Sequence, residues 1–448
     1  MAATTTLARF VEETGIDDVP PDVRALARRC LRDHIGVALL GSESDPGERM
    51  REYATTAFTG TTATVIGGGT ATPHGAALAN GTFAHVDDYD DTFDSIVIHP
   101  STPVAPAALA AAEAENATGM ELLTALVVGS EVLSRVGHAV YPEHYDNGWH
   151  LTATVGTFGA AAAAASIYGL EADTIERAFG IAGSNAPTSL KRNMGSEIKL
   201  THPGQGAQRG IEAVTMARAG WTANRRVFDG EKGYPDVMAP GRSDTSVDTD
   251  GLGDRWALQD VGFKLYPSAI VTHAGIHALE SLLAEEGIDP DRIESIDVEV
   301  DESIDVLKHP PLGGPFDAKF SFEFCLGLVV AYGSVRPSAF ADSTLTEEPI
   351  RRAMDLVSVV PVSGLFGSEY FGYGARVRVE TVDGAVYLRD QRRPPAMPYE
   401  PSDDAALEEK FRACAGTALG AEAVATLNDE LVSLGDGGTL CSVLRLLG

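Results

Sequence analysis

A run of small residues constrains this chain more than any other feature. Six alanines, Ala160 to Ala165, follow Gly156 and Gly159, and Gly180 and Gly183 come soon after. Helices with alanine and glycine on their faces let neighbouring axes approach closely, so the first half predicts a tightly packed helical bundle. Helical periodicity is visible over residues 7–14. It resumes from Pro21, with an apolar face at Val23, Leu26, Ala27, Cys30, Leu31 and Ile35. Further helices are expected from Pro106 to residue 117 and over residues 122–140, 154–170 and 207–219.

The pattern changes near residue 257. Ile293-Glu-Ser-Ile-Asp-Val-Glu-Val alternates as a half-exposed strand does, and residues 375–389 read as two strands joined by an Asp383-Gly384 turn. Helices are expected at 273–286 and 320–333. A proline-rich linker, 393–401, precedes renewed helical periodicity over 404–447. The predicted architecture is mainly α. Residues 1–256 form the first part of a helical domain, 257–394 an inserted α+β domain, and 395–448 helices that return to the bundle.

Charge narrows the function. With 64 acidic and 34 basic residues, the net charge of −30 repels phosphate and anionic membranes, so neither nucleic acid nor a membrane surface is an expected partner. Only seven of the basic residues are lysine, and abundant acid with scarce lysine suits the cytoplasm of a salt-accumulating cell. Each lysine that persists is then expected to have a specific task. Cys30, Cys325, Cys414 and Cys441 lack the paired spacing of a zinc or iron–sulfur site. No signal pattern opens the chain, and no apolar run approaches the roughly 18 to 20 residues of a membrane span, so a soluble cytoplasmic protein is expected.

Four polar clusters stand out. The densest runs from His85 through Asp87, Asp88, Asp90, Asp91 and Thr92 to His99. It reads as an acidic helix start, as a metal site using His85, Asp87, Asp88 and His99 in a hydrolase, or as a metal-free acid/base pocket. If helical, Asp88 and Thr92 share a face. The second cluster is His150, ahead of the small-residue helix, where a positive helix end would disfavour imidazolium. The third gathers Lys199, His202 and Arg209 on a glycine-rich turn suited to a carboxylate. The fourth holds Lys264, at the junction of the two regions, with His273 and His277 spaced i,i+4. Cations and imidazoles gathered in so acidic a chain suit proton abstraction alpha to a carboxylate. No phosphate loop, dinucleotide fingerprint or nucleophile elbow appears.

The motifs also resemble a known family. Ala79-Asn-Gly-Thr-Phe-Ala-His85-Val-Asp-Asp-Tyr-Asp-Asp-Thr92, followed by His99-Pro-Ser, is similar to the signature of the MmgE/PrpD family. Trp149-His150, Lys199-Leu-Thr-His202-Pro-Gly, Phe228-Asp-Gly-Glu-Lys-Gly-Tyr, Lys264-Leu-Tyr-Pro with His273, and Asp317-Ala-Lys-Phe-Ser-Phe-Glu-Phe extend the resemblance in order. It implies a large helical domain with an α+β lid, a homodimer, and no metal or organic cofactor. The family includes 2-methylcitrate dehydratase, which serves propionate catabolism, cis-aconitate decarboxylase and iminodisuccinate epimerase. The resemblance places Asp88, Thr92, His99, His150, Lys199 and Lys264 at the active site. One departure weighs against decarboxylation: the decarboxylase pattern has a histidine five residues after the lid lysine, where this chain has Ala269. The expected activity is therefore a hydro-lyase, 2-methylcitrate dehydratase first. Lys199, His202 and Lys264 would bind substrate carboxylates, His150 would act as base, and His99, oriented by Asp88, as acid. Closing of the lid would bring Lys264 into play.

Overall fold

A computed structural model describes residues 2–304, 306–367, 373–398 and 404–448. The last three residues of the expected linker, 399–401, lie outside the described residues. The chain divides into two compact units. The first comprises Met1–Val86, Asp90–Phe263 and Asp403–Gly448, and the second Asp87–Tyr89 and Lys264–Ser402. The second unit thus begins at Lys264 rather than at 257. It also takes three residues from the acidic cluster.

The first unit is helical. At its centre is the small-residue helix Gly156–Ile167, buried all round from Gly156 to Ala165. Helices Ser101–Glu115, Gly119–Val140, Ala172–Asn185 and His202–Arg218 pack against it. Ser101–Glu115 begins five residues before Pro106, which lies inside the helix. Proline removes only one backbone donor, and the burial of every residue from Ser101 to Ala112 outweighs that loss. Gly119–Val140 is, against expectation, long and apolar enough to cross a membrane, with 83% of its most apolar window buried. The cause is packing: its leucines and valines face the neighbouring helices Ser101–Glu115 and Gly156–Ile167.

The glycines of the third cluster do not expose a turn. Gly204 lies inside the helix His202–Arg218, where a Cβ would collide with the Leu78 carbonyl of the helix Pro73–His85. Gly81 faces it, so two helices cross at backbone distance and bring their ends into one region. The C-terminal helices Asp404–Ala415 and Ala421–Val432 pack on Pro21–Ser42 within this same unit. There the Lys410 ammonium lies 2.6 Å from Asp33, both buried.

The second unit carries a four-stranded sheet. Strand Ile293–Asp301 pairs in parallel with Val357–Val362 and antiparallel with Ala375–Thr381, which pairs in turn with Val386–Gln391. The hairpin turn at Asp383-Gly384 is as expected, with Gly384 at φ +79°. Strand Val357–Val362 lacks a clean alternation of buried and exposed residues, which hides it in the sequence. Helices Ile270–Glu286 and Phe322–Tyr332 cover one face of the sheet and close a core of Ile296, Val298, Val377, Phe322 and Phe324.

Candidate active site

The acidic cluster is not a helix. The helix Pro73–His85 ends at His85, and the chain passes through turns to the bridge residues Thr92 and Phe93. Asp88 adopts a left-handed backbone, φ +53°, a conformation that aspartate tolerates better than most residues. Asp88 and Thr92 therefore do not share a helical face.

Four imidazoles gather in the first unit. His85 sits at the end of one helix, His99 just before Ser101–Glu115, His150 at the start of the short helix Leu151–Thr154, and His202 at the start of His202–Arg218. Ring centroids of His85 lie 4.9 Å from His99 and 5.8 Å from His150, and His150 and His202 are 5.3 Å apart. His85 Nδ1 is 2.8 Å from Asp90 Oδ2, and His99 Nδ1 is 3.3 Å from the same oxygen and 2.9 Å from the Asp91 carbonyl. Asp90 is thus the carboxylate that orients His99, where the sequence suggested Asp88. Asp91 is held in turn by the Ser101 N–H at 3.1 Å and by the Ser101 hydroxyl. Burial, reinforced by Asp33, pushes the Asp91 carboxyl up to about 7.

His150 and His202 meet through their Nδ1 atoms, 3.1 Å apart. Burial, then the charges of His85 and Lys199, hold His150 well below the usual imidazole range. Burial brings His202 down to about 4, again with His85 and Lys199 contributing. Both rings are therefore neutral near pH 7. Lys199, on the short 3₁₀ turn Glu197–Thr201, is 1% exposed and close enough to act on both. Arg209 does not join them. Its guanidinium pairs with Glu212 at 2.5 Å on the exposed side of its helix. Thr92 is buried, its hydroxyl donating to the Ile98 carbonyl and its N–H to the Gly262 carbonyl.

The second unit holds the other candidates. Lys264 is 2% exposed and donates to the carbonyl and carboxylate of Asp88 at 2.8 and 2.9 Å. Lys319 donates to the Asp87 carbonyl at 2.8 Å and the Pro267 carbonyl at 3.1 Å, 3.3 Å from the Asp87 carboxylate. His273 and His277 share one helix but are bound separately, to the Ser268 carbonyl and near the Tyr266 hydroxyl. They do not form the metal pair that their spacing allows.

His85, Asp90 and His99 each offer a ligand atom, all within 4.8 Å, so they could hold a metal ion. The hydrolase set of His85, Asp87, Asp88 and His99 is a different matter. Its two aspartates are engaged by the ammonium groups of Lys319 and Lys264. Sequence reasoning missed Asp90 as the shared acceptor and Lys319 and Lys410 as buried cations. The scarcity of lysine was the available signal for the last two. Four of the seven lysines, 199, 264, 319 and 410, prove to be buried.

The chain is 28% identical to a cis-aconitate decarboxylase-like protein of Aspergillus oryzae, over 99% of this chain and 97% of that protein. It is also 28% identical to the cis-aconitate decarboxylase of Homo sapiens, covering 94% and 89% of the two chains. Residues 5–246 match the MmgE/PrpD N-terminal domain and residues 266–433 the MmgE/PrpD C-terminal domain. Matched along nearly its whole length by both domains, the chain belongs to the MmgE/PrpD family.

Proposed function

We propose that this protein is a cofactor-independent lyase that acts on a small di- or tricarboxylate by proton transfer at the carbon alpha to a carboxylate. The observation that carries this reading is the buried group His99, His85, His150 and His202 beside Lys199. A neutral imidazole accepts a proton and an imidazolium donates one, and a buried ammonium stabilises the enolate-like charge that develops on a carboxylate. His150 takes the alpha proton, and Lys199 holds the carboxylate on which charge accumulates. His202, being neutral, contributes hydrogen bonding rather than charge. Lys264 is the further carboxylate-binding cation, carried by the second unit. Thr92 and Asp88 position the segment that carries these groups.

Decarboxylation of cis-aconitate is the reading that the relatives' activities support. In that reaction a carbon–carbon bond to one carboxylate breaks, carbon dioxide leaves, and the electron pair shifts through the double bond. The alpha carbon then takes a proton that solvent supplies through an imidazole, which is neutral again afterwards. Dehydration of 2-methylcitrate is the second reading, favoured by Ala269, which cannot supply the imidazole of the decarboxylase pattern. There the base removes the alpha proton, the electron pair forms the double bond, and His99 protonates the departing hydroxyl, which leaves as water.

The test is a product assay on the purified chain with cis-aconitate, 2-methylcitrate, citrate and iminodisuccinate, each at low and at molar salt. Release of carbon dioxide from cis-aconitate supports the first reading, and formation of 2-methyl-cis-aconitate the second. Consumption of none of the four at either salt defeats the proposal. So does near-wild-type turnover by His150→Ala.

A further inference from the structure

His202 has no assigned task beyond binding, yet it makes an unusual contact. Its Nδ1 faces the Nδ1 of His150 at 3.1 Å, with both rings buried. Only one proton fits between two nitrogens at that distance, so one ring donates and the other accepts. The choice decides what His150 does. If His202 donates, His150 carries its own proton on Nε2 and can only donate a hydrogen bond there. If His150 donates, its Nε2 holds a lone pair and is a base.

We propose that His202 is a positioning residue that accepts a hydrogen bond at Nδ1 and so holds His150 as the Nδ1–H tautomer, its Nε2 lone pair free to take the substrate proton. This inference rests on the reading of His150 as the base. Several observations support it. An acceptor must be neutral, and burial holds His202 neutral at physiological pH. The charged and titratable groups facing His150 are His85, Lys199, His202 and His99, and His202 meets the ring at hydrogen-bond distance through Nδ1. The two rings are also fixed from opposite sides. The His150 N–H donates to the Ser189 carbonyl at 2.8 Å, while His202 opens a helix locked by the Gly81–Gly204 crossing. Histidine tautomers are commonly set by the partner of the second ring nitrogen, and here that partner is another histidine.

The test uses the full chain labelled with ¹⁵N-histidine, without substrate, read by long-range ¹H–¹⁵N correlation, with His150→Gln to assign the His150 signals. The expected wild-type spectrum shows His150 protonated at Nδ1 and bare at Nε2. His202→Leu is expected to move the His150 proton to Nε2 and to lower kcat by about 10²-fold or more. His202→Asn, whose carbonyl can accept the same hydrogen, is expected to keep the Nδ1–H form and to recover much of the lost kcat. A wild-type His150 protonated at Nε2, or a tautomer unmoved in His202→Leu, overturns the inference. Should His202→Leu fail to fold, the wild-type and His202→Asn spectra still decide it. Expected spectra without turnover of any carboxylate would defeat the reaction assignment alone. Opposite spectra with turnover would defeat this inference alone.

Discussion

The buried lysines of the second unit and the buried imidazoles of the first are partnered in different ways. In the second, each buried lysine has its own aspartate, Lys264 with Asp88 and Lys319 with Asp87. In the first, His85 and His99 share the single carboxylate of Asp90, and His150 and His202 lean on each other. Without a carboxylate beside them, His150 and His202 are held by burial below the usual imidazole range. The first unit is thereby suited to moving protons, and the second to presenting or storing fixed charge.

Acid should break this contrast most strongly. Burial lowers His34, His144 and His202 to about 4, all below their unfolded value. Below pH 6.5 the unfolded chain binds protons that the folded chain refuses. The contribution of these groups is therefore full above about 6.5 and falls as pH drops toward 4, by up to about 1.4 kcal/mol per pH unit for each, while Asp91, raised to about 7, offsets about one of them over the same range. Denaturant midpoints measured between pH 7 and 4.5 should decline steadily, and a flat profile would contradict the burial of these rings.

Breaking one ion pair in the second unit comes next. Lys264→Met strands the buried Asp88 carboxylate and is expected to cost about 3–5 kcal/mol in chemical denaturation. Adding Asp88→Asn, a neutral residue that tolerates the left-handed backbone, should restore much of that loss, since the penalty belongs to the unpaired charge. Failure of the double variant to recover would mean that packing, not charge, holds the pair.

The shared carboxylate gives a smaller effect. Asp90→Asn replaces a charge-assisted acceptor by a neutral amide, and about 1.5–3 kcal/mol of transition-state stabilisation is expected to go with it. That is a fall of roughly 10- to 100-fold in kcat/KM on whichever carboxylate the wild type turns over. Unaltered kinetics would show that Asp90 does not organise the imidazoles. Lys232→Gln anchors the bottom of the scale. Its side chain is 84% exposed, so a stability change within about 0.5 kcal/mol is expected from thermal melts.

Much of this was legible in the sequence, for physical reasons that differ by residue. The alanines of 160–165 announced a close-packed helix because small side chains have few other uses at such density. Lys199 and Lys264 stood out because lysine is scarce, and both proved buried. The hairpin at Asp383-Gly384 followed from the local backbone demand of its turn. Pattern reading failed where a single residue's geometry overrides periodicity. Asp88, in a left-handed conformation, sends its carboxylate to Lys264, while Asp90, two residues on, turns to His85 and His99.

The sequence by itself therefore determined the class of structure, the family and the stock of acid, base and cationic groups, since composition, periodicity and motif order are local properties of the chain. Tertiary structure alone decided which aspartate serves which partner and that His150 meets His202 across 52 positions. It also decided that both rings are neutral, because desolvation depends on what surrounds a group in space rather than on its neighbours along the chain.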